Sequence, residues 1–168
     1  MKNIILFGQK NSGKSFIGKK LAKSLNFEFI DTDLLIEKRY FELTNKTVSL
    51  KDIFKKEKYF RALEKKVIFS LKKTEKSVIS LGGGSLLDKE NIKFLKKIGF
   101  FIYLKIDKKT FFNRTKKNPY NSILEEIYEK REKIFNKIDS IIIDTNKLTQ
   151  KEILKKILCQ IPLEQFLK

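Results

Sequence analysis

The segment Gly8-Gln9-Lys10-Asn11-Ser12-Gly13-Lys14-Ser15 restricts the folds open to this chain more than any other stretch. It has the spacing G-x-x-x-x-G-K-[ST], in which a glycine-rich loop aims successive backbone N–H groups at nucleotide phosphates. The lysine then brings a point charge to the outer phosphates, and the serine hydroxyl is placed to ligate Mg²⁺. The same letters could make a ligand-free glycine turn, so the flanks decide. Upstream, Ile4-Ile5-Leu6-Phe7 is a continuous apolar run, the mark of a strand buried on both faces of a parallel sheet. Downstream, Ile17, Leu21, Ala22 and Leu25 recur at helical spacing, so Lys14 and Ser15 open an amphipathic helix whose N-terminus is itself an anion site. Strand, loop and helix stand in the order that phosphate binding requires, and the loop reads as a phosphate cradle. Lys14, taken as a solvated charge, is not expected to support the core.

The rest of the chain repeats the alternation. Apolar strands are predicted at 3–7, 28–31, 77–81, 100–105 and 139–143. Helices are predicted at 14–25, 33–40, near 49–56 and 57–72, and at 88–97, 107–116, 122–136 and 149–159, with a break at Asn118-Pro119. Five such strands imply an α/β fold, a five-stranded parallel sheet flanked by helices on both faces. In sheets of this kind ligands sit beyond the carboxyl ends of the strands, so the residues just after each strand are the ones to inspect.

A chain of 168 residues fits a single domain spanning 1–168, with a core over about 1–160. No apolar run approaches the ~20 residues of a membrane span, and the start of the chain is too short for a signal peptide before the cradle begins. The single cysteine, Cys159, lies among Ile157, Leu158 and Ile161 and reads as a small core hydrophobe; it offers no disulfide framework, which suits a cytoplasmic protein. The absence of histidine excludes histidine-based catalysis and histidine-ligated zinc. The formal net charge of +18 is spread over lysines on almost every polar helix face, so it favours anionic small molecules and non-specific polyanion contact at low salt, not a specific nucleic acid. Arginine is more informative. Only Arg39, Arg61, Arg114 and Arg131 occur among 38 basic residues, so arginine marks the positions where a planar, bidentate fork could matter.

Three constellations follow the strands. Asp31 and Asp33 in "FIDTD" lie two apart, so in extended chain both carboxylates face one side, one to help hold hydrated Mg²⁺ and the other to meet a substrate hydroxyl. Asp33 could also serve as the cap of the next helix. Arg61 and Glu64 lie three apart on a helix, either as an exposed pair worth ~0.3 kcal/mol or as part of a site; Arg131 in "YEKREKIF" is open to the same two readings. Gly82-Gly83-Gly84, directly after an apolar strand, makes sense where a ligand must approach the main chain closely, or as a flexible connector.

Taken in order, "GxxxxGKS", "DTD", "IFKKEKYFRALE", "SLGGG", "YLKIDKKTFFNR" and "REKIF" resemble shikimate kinase, a P-loop kinase family built like the nucleoside monophosphate kinases, from Asn3 to about Thr145. The resemblance implies an ATP- and Mg²⁺-dependent phosphorylation of shikimate to 3-phosphoshikimate, a step toward aromatic amino acids. It implies that ATP is held by Asn11, Ser12, Gly13, Lys14, Ser15 and Phe16, with Arg114 against the base. By the same resemblance Ser15 and Asp31 serve Mg²⁺, Lys14 stabilises the transferring phosphoryl group and Asp33 is the candidate base. Shikimate falls to Asp33, Arg61, Glu64, Gly82, Gly83, Gly84 and Arg131. The resemblance further implies a monomer, an acceptor-binding region at about 33–64 and a lid at about 115–123.

The chain departs from the family pattern in that lid. It reads "RTKKNPYNSIL", shortened, with Asn118 where an arginine is expected; Lys116 or Lys117 would be a less well-oriented substitute. Asn11 replaces a common glycine, a mild change because asparagine tolerates left-handed backbone, and Phe16 stands where threonine is common. Two other readings stay open on the sequence: a related small-molecule kinase such as a gluconate kinase, and a non-catalytic nucleotide-binding homologue that has lost the lid arginine.

Overall fold

The computed structural model describes residues 2–115 and 122–162. Its centre is a strand, β1 (Asn3–Phe7), in which every residue is buried. Four further strands join it: β2 (Glu28–Asp31), β3 (Ser77–Ser80), β4 (Gly99–Lys105) and β5 (Ile141–Asp144), in the spatial order β2-β3-β1-β4-β5 with every pairing parallel. β1 therefore lies between β3 and β4. The chain runs from β1 out to the edge strand β2 and back to β3 on one side, then crosses to β4 and β5 on the other, so it winds in opposite directions on the two sides of β1. Helices leaving the carboxyl ends of such neighbours diverge and open a crevice there.

The helices are α1 (Lys14–Leu25), α2 (Thr32–Thr44), α3 (Leu50–Phe54), α4 (Glu57–Ser70), α5 (Lys89–Ile98), α6 (Lys108–Thr115), α7 (Ser122–Phe135) and α8 (Gln150–Gln160). The two-residue period of β1 sorts them into layers. Ile4 and Leu6 point to one face and pack with Ile17 and Leu21 of α1 and Ile153 and Ile157 of α8. Ile5 and Phe7 point to the other and pack with Ile68 of α4, Leu95 of α5 and Phe135 of α7. The Phe7 and Tyr103 rings stack at 4.9 Å on that face. A separate cluster of Ile36, Ile53, Phe60, Leu63 and Val67 holds α2, α3 and α4 together as a wall above the β2 edge. Each such side chain contributes about 2–3 kcal/mol through burial, enough for a small cluster to fix a wall.

Element types and order match the sequence reading, and the differences have local causes. α2 starts at Thr32 because Asp31, not Asp33, is its cap: the Asp31 carboxylate accepts the Asp33 N–H at 3.0 Å. It runs on past residue 40 until Asn45 turns left-handed at φ 53. The last strand is shifted to 141–144, where pairing with β4 sets Ile102 against Ile141. Cys159 is exposed, not core. It stands about 200° round α8 from Ile157, the residue that faces the sheet. Among the described residues, no helix is long and apolar enough to cross a membrane.

Candidate active site

The carboxyl end of β1 runs straight into the cradle. Gly8 leaves the strand at φ 150 and Gly13 sits left-handed at φ 94, so the loop turns back sharply before α1 begins. Asn11 takes φ 61, the conformation asparagine tolerates. Gly13 offers no side-chain cap and the first turn of α1 carries no acidic residue, whereas Asp31, Asp88 and Thr149 cap α2, α5 and α8. The free N–H groups and the positive end of the α1 dipole are left for an external anion.

Lys14 is not the solvated charge expected from the sequence. It is only 9 % exposed, and its Nζ donates to the carbonyls of Gly8 at 3.2 Å and Gln9 at 2.9 Å. Burial pulls its ammonium down to a pKa of about 8, against the opposing attraction of Asp33. Ser15 Oγ donates to Asp31 Oδ2 at 2.6 Å and lies 3.5 Å from Ser80 Oγ. Asp31 is thus drawn back to the cradle by its strand, while Asp33, in the first turn of α2, faces the glycine loop. The two carboxylates do not share an extended segment, yet they still repel. Burial first, and Asp31 second, push Asp33 up to a pKa of about 6. A carboxyl so placed is a competent general base near neutral pH.

Gly82, Gly83 and Gly84 follow β3, and none of them has a positive φ. Their lack of a side chain serves close approach. A Cβ on Gly82 would lie 2.5 Å from Asp33 Oδ1, and one on Gly84 2.7 Å from a nitrogen of Arg61; Gly83 faces Arg131. Thr32, the middle residue of the "DTD" run, holds this loop: its hydroxyl donates to Ser80 O at 3.2 Å and accepts the Gly82 N–H at 3.0 Å.

Arg61 and Glu64 are not a surface pair. Their contact is 2.7 Å, Glu64 is 2 % exposed, and Ser85 Oγ donates to its other oxygen at 2.8 Å. The Arg61 guanidinium also lies over the rings of Phe54 and Phe60, 5.3 Å from each centroid. Arg131 reaches the same place from α7. Its Nε is buried without a hydrogen-bond partner, and burial followed by the Arg61 charge holds its pKa below the usual guanidinium value. Two guanidiniums converge on one spot with a single buried carboxylate between them, an arrangement that suits a second, incoming carboxylate.

A cleft of about 700 Å³ joins these parts, lined by Asn11, Gly13, Lys14, Ser15, Phe16, Asp33, Arg61, Glu64, the three glycines and Arg131. Ser12 is buried inside the cradle and Asp31 stands behind Ser15, so neither lines the cleft. Arg114 lies outside it, on the outer edge of the cradle, where its guanidinium donates to Asn11 O at 3.3 Å and its own carbonyl accepts from the Asn11 side chain at 3.0 Å. Of the lid expected at 115–123, Lys116, Lys117 and Asn118 lie outside the described residues. Sequence reasoning missed Thr32, Ser85, Phe54 and Glu37. Glu37 lines the cleft and accepts the Leu50 N–H at 2.7 Å, tying α2 to the start of α3. The signal for Thr32 was there, inside a motif read only for its aspartates.

This geometry has relatives. The family model described as shikimate kinase matches residues 10–162. A shikimate kinase of Clostridium botulinum (strain ATCC 19397 / Type A) is 43% identical over 158 residues, covering 87% of this chain and 89% of that protein. The solved structure of shikimate kinase from Acinetobacter baumannii in complex with shikimate superposes with a TM-score of 0.82 at 28% identity, covering 100% of this chain and 96% of the other. A gluconokinase from Sinorhizobium meliloti 1021 covers 94% of this chain and 90% of its own at a TM-score of 0.57 and 17% identity, a likeness of fold alone. A cradle, a glycine loop pressed on Asp33 and a paired-arginine pocket on this sheet agree with the family match over nearly the whole chain, and the chain belongs to the shikimate kinase family.

Proposed function

We propose that this protein transfers the γ-phosphoryl group of ATP to a hydroxyl of shikimate, giving ADP and 3-phosphoshikimate. The observation that carries the reading is the convergence of Asp33, Arg61, Arg131 and the Gly82–Gly84 loop in one cleft that begins at the phosphate cradle. Arg61 and Arg131 hold the acceptor carboxylate, Glu64 fixes the Arg61 fork, and the glycines let the ring approach the main chain. Residues 33–64 form the acceptor-binding region of a single kinase domain, acting as a monomer in the cytoplasm.

Asp33 accepts the proton of the attacking hydroxyl as its oxygen bonds to the γ-phosphorus. The bond from that phosphorus to the bridging oxygen breaks, and ADP leaves with the electron pair. Lys14 and the N–H groups of Gly13, Lys14 and Ser15 meet the charge that builds on the phosphoryl oxygens. Asn11, Ser12 and Phe16 complete the nucleotide loop, and Arg114 flanks the base at the cradle's outer edge.

Ser15 and Asp31 fit Mg²⁺. They present a hydroxyl and a carboxylate oxygen 2.6 Å apart, all-oxygen donors that need only phosphate and water to complete a shell. When bound, the ion neutralises phosphate charge.

A coupled assay of ADP release with purified protein, ATP, Mg²⁺ and shikimate tests the reading. Turnover with shikimate and none with gluconate is the expected result. Turnover with gluconate alone, or nucleotide binding without turnover of either acid, overturns it.

A further inference from the structure

The cradle carries a second cation that the phosphate-binding motif does not require. Ser12 N–H donates to Gln9 O at 3.2 Å, closing a turn whose corners are Lys10 and Asn11, the latter at φ 61. Lys10 is exposed at the first corner, and it lines the cleft. Its backbone also faces the acceptor loop: a Cβ on Gly83 would lie 3.7 Å from the Lys10 nitrogen. Lys10 therefore stands at the seam between the nucleotide loop and the glycine loop, the line that a phosphoryl group crosses on its way to an acceptor.

The other cations of the cleft are already engaged or lie elsewhere. Lys14 spends two of its three N–H donors on Gly8 and Gln9 carbonyls, which leaves one for a phosphate. Arg61 pairs with Glu64 and Glu57. Arg131 is buried beside Arg61, and Lys51 lines the cleft from α3, an element outside the cradle. Among the described residues no carboxylate lies within ion-pair distance of Lys10. A terminal phosphate carries about two charges near neutral pH, more than one remaining Lys14 donor satisfies.

We propose that the Lys10 ammonium binds the outermost phosphate of the nucleotide and serves as a second phosphate cation, distinguishing a triphosphate from a diphosphate. This rests on the kinase reading of the cleft but is tested separately from it. Calorimetric titration with ATP and with ADP, each with Mg²⁺ and without shikimate, is carried out on wild type, Lys10→Ala, Lys10→Arg and Lys23→Ala. Lys23, at the far end of α1, controls for the general loss of one positive charge.

Lys10→Ala should bind ATP about tenfold more weakly and ADP no more than about twofold more weakly, while Lys10→Arg and Lys23→Ala stay near wild type. An unchanged ATP affinity in Lys10→Ala overturns the proposal. So does an equal loss for both nucleotides, or an equal loss in Lys23→Ala. Turnover of shikimate by the wild type is a separate readout: its absence would sink the acceptor assignment, while a selective loss of ATP affinity would still support Lys10.

Discussion

Asp33 Oδ1 lies so close to Gly82 that a Cβ on the glycine would stand 2.5 Å away, and Ser85 Oγ would be 3.2 Å from the same atom. The glycine loop is thus a mould for the carboxylate. In Gly82→Ala the side chain of Asp33, not backbone, has to give way, so the fold should survive and the base should move. A misplacement of ~1 Å costs on the order of 100-fold in rate. We expect kcat/KM for shikimate to fall by about that factor, with Tm within a few degrees of wild type. A variant with full activity would show that Asp33 need not sit against the loop.

Activity should follow a bell in pH. Asp33 must be ionised, which sets an ascending limb near its pKa of about 6. Lys14 must be protonated, which sets a descending limb in kcat/KM near its pKa of about 8. Bound phosphate stabilises the ammonium, so the upper limb of kcat should move to higher pH than that of kcat/KM. Measuring both profiles checks this; a flat kcat/KM from pH 7 to 10 would exclude Lys14 as the upper group.

Ionised Asp33 burdens the fold. Its folded pKa lies above its unfolded value of 3.8, so the relative stability present below pH 3.8 is lost as pH rises through about 6. Asp33→Asn should therefore be more stable than wild type at pH 7.5, on the order of 2 kcal/mol, and the gap should close toward pH 4. The same variant should lose at least about 100-fold in kcat. Urea melts at the two pH values decide the point. A variant less stable than wild type at pH 7.5 contradicts the pKa assignment.

Arg61→Lys and Arg131→Lys keep the charge but lose the fork. Each should raise KM for shikimate about tenfold and leave KM for ATP within twofold or so. Arg131→Lys should be the costlier for the fold, because a buried ammonium is harder to desolvate than a guanidinium. Equal shifts in both Michaelis constants would show that the two residues are not a carboxylate clamp.

Lys14→Ala should lower kcat by about 100-fold or more, an effect of ~3 kcal/mol on the transition state. The truncation also frees the carbonyls of Gly8 and Gln9, so a small loss of thermal stability should accompany it. Near-normal turnover in the folded variant would remove Lys14 from the chemistry.

The sequence by itself determined the order of elements, because a two-residue or 3.6-residue apolar period is a local property. It also marked the cradle, since G-x-x-x-x-G-K-S brings its own turn geometry through Gly8 and Gly13. Tertiary structure decided which polar residues meet. Nothing local says that Arg61 of α4 and Arg131 of α7 share one pocket, that Glu64 is buried between them, or that the third glycine exists to admit a guanidinium. Those facts follow from strand order, which brings β3 beside β1 and lets helices far apart in sequence face one crevice. Burial did the rest. The sequence marks Lys14 and Asp33 as site residues but does not show their burial, and only the packing around them moves their proton affinities toward neutral pH.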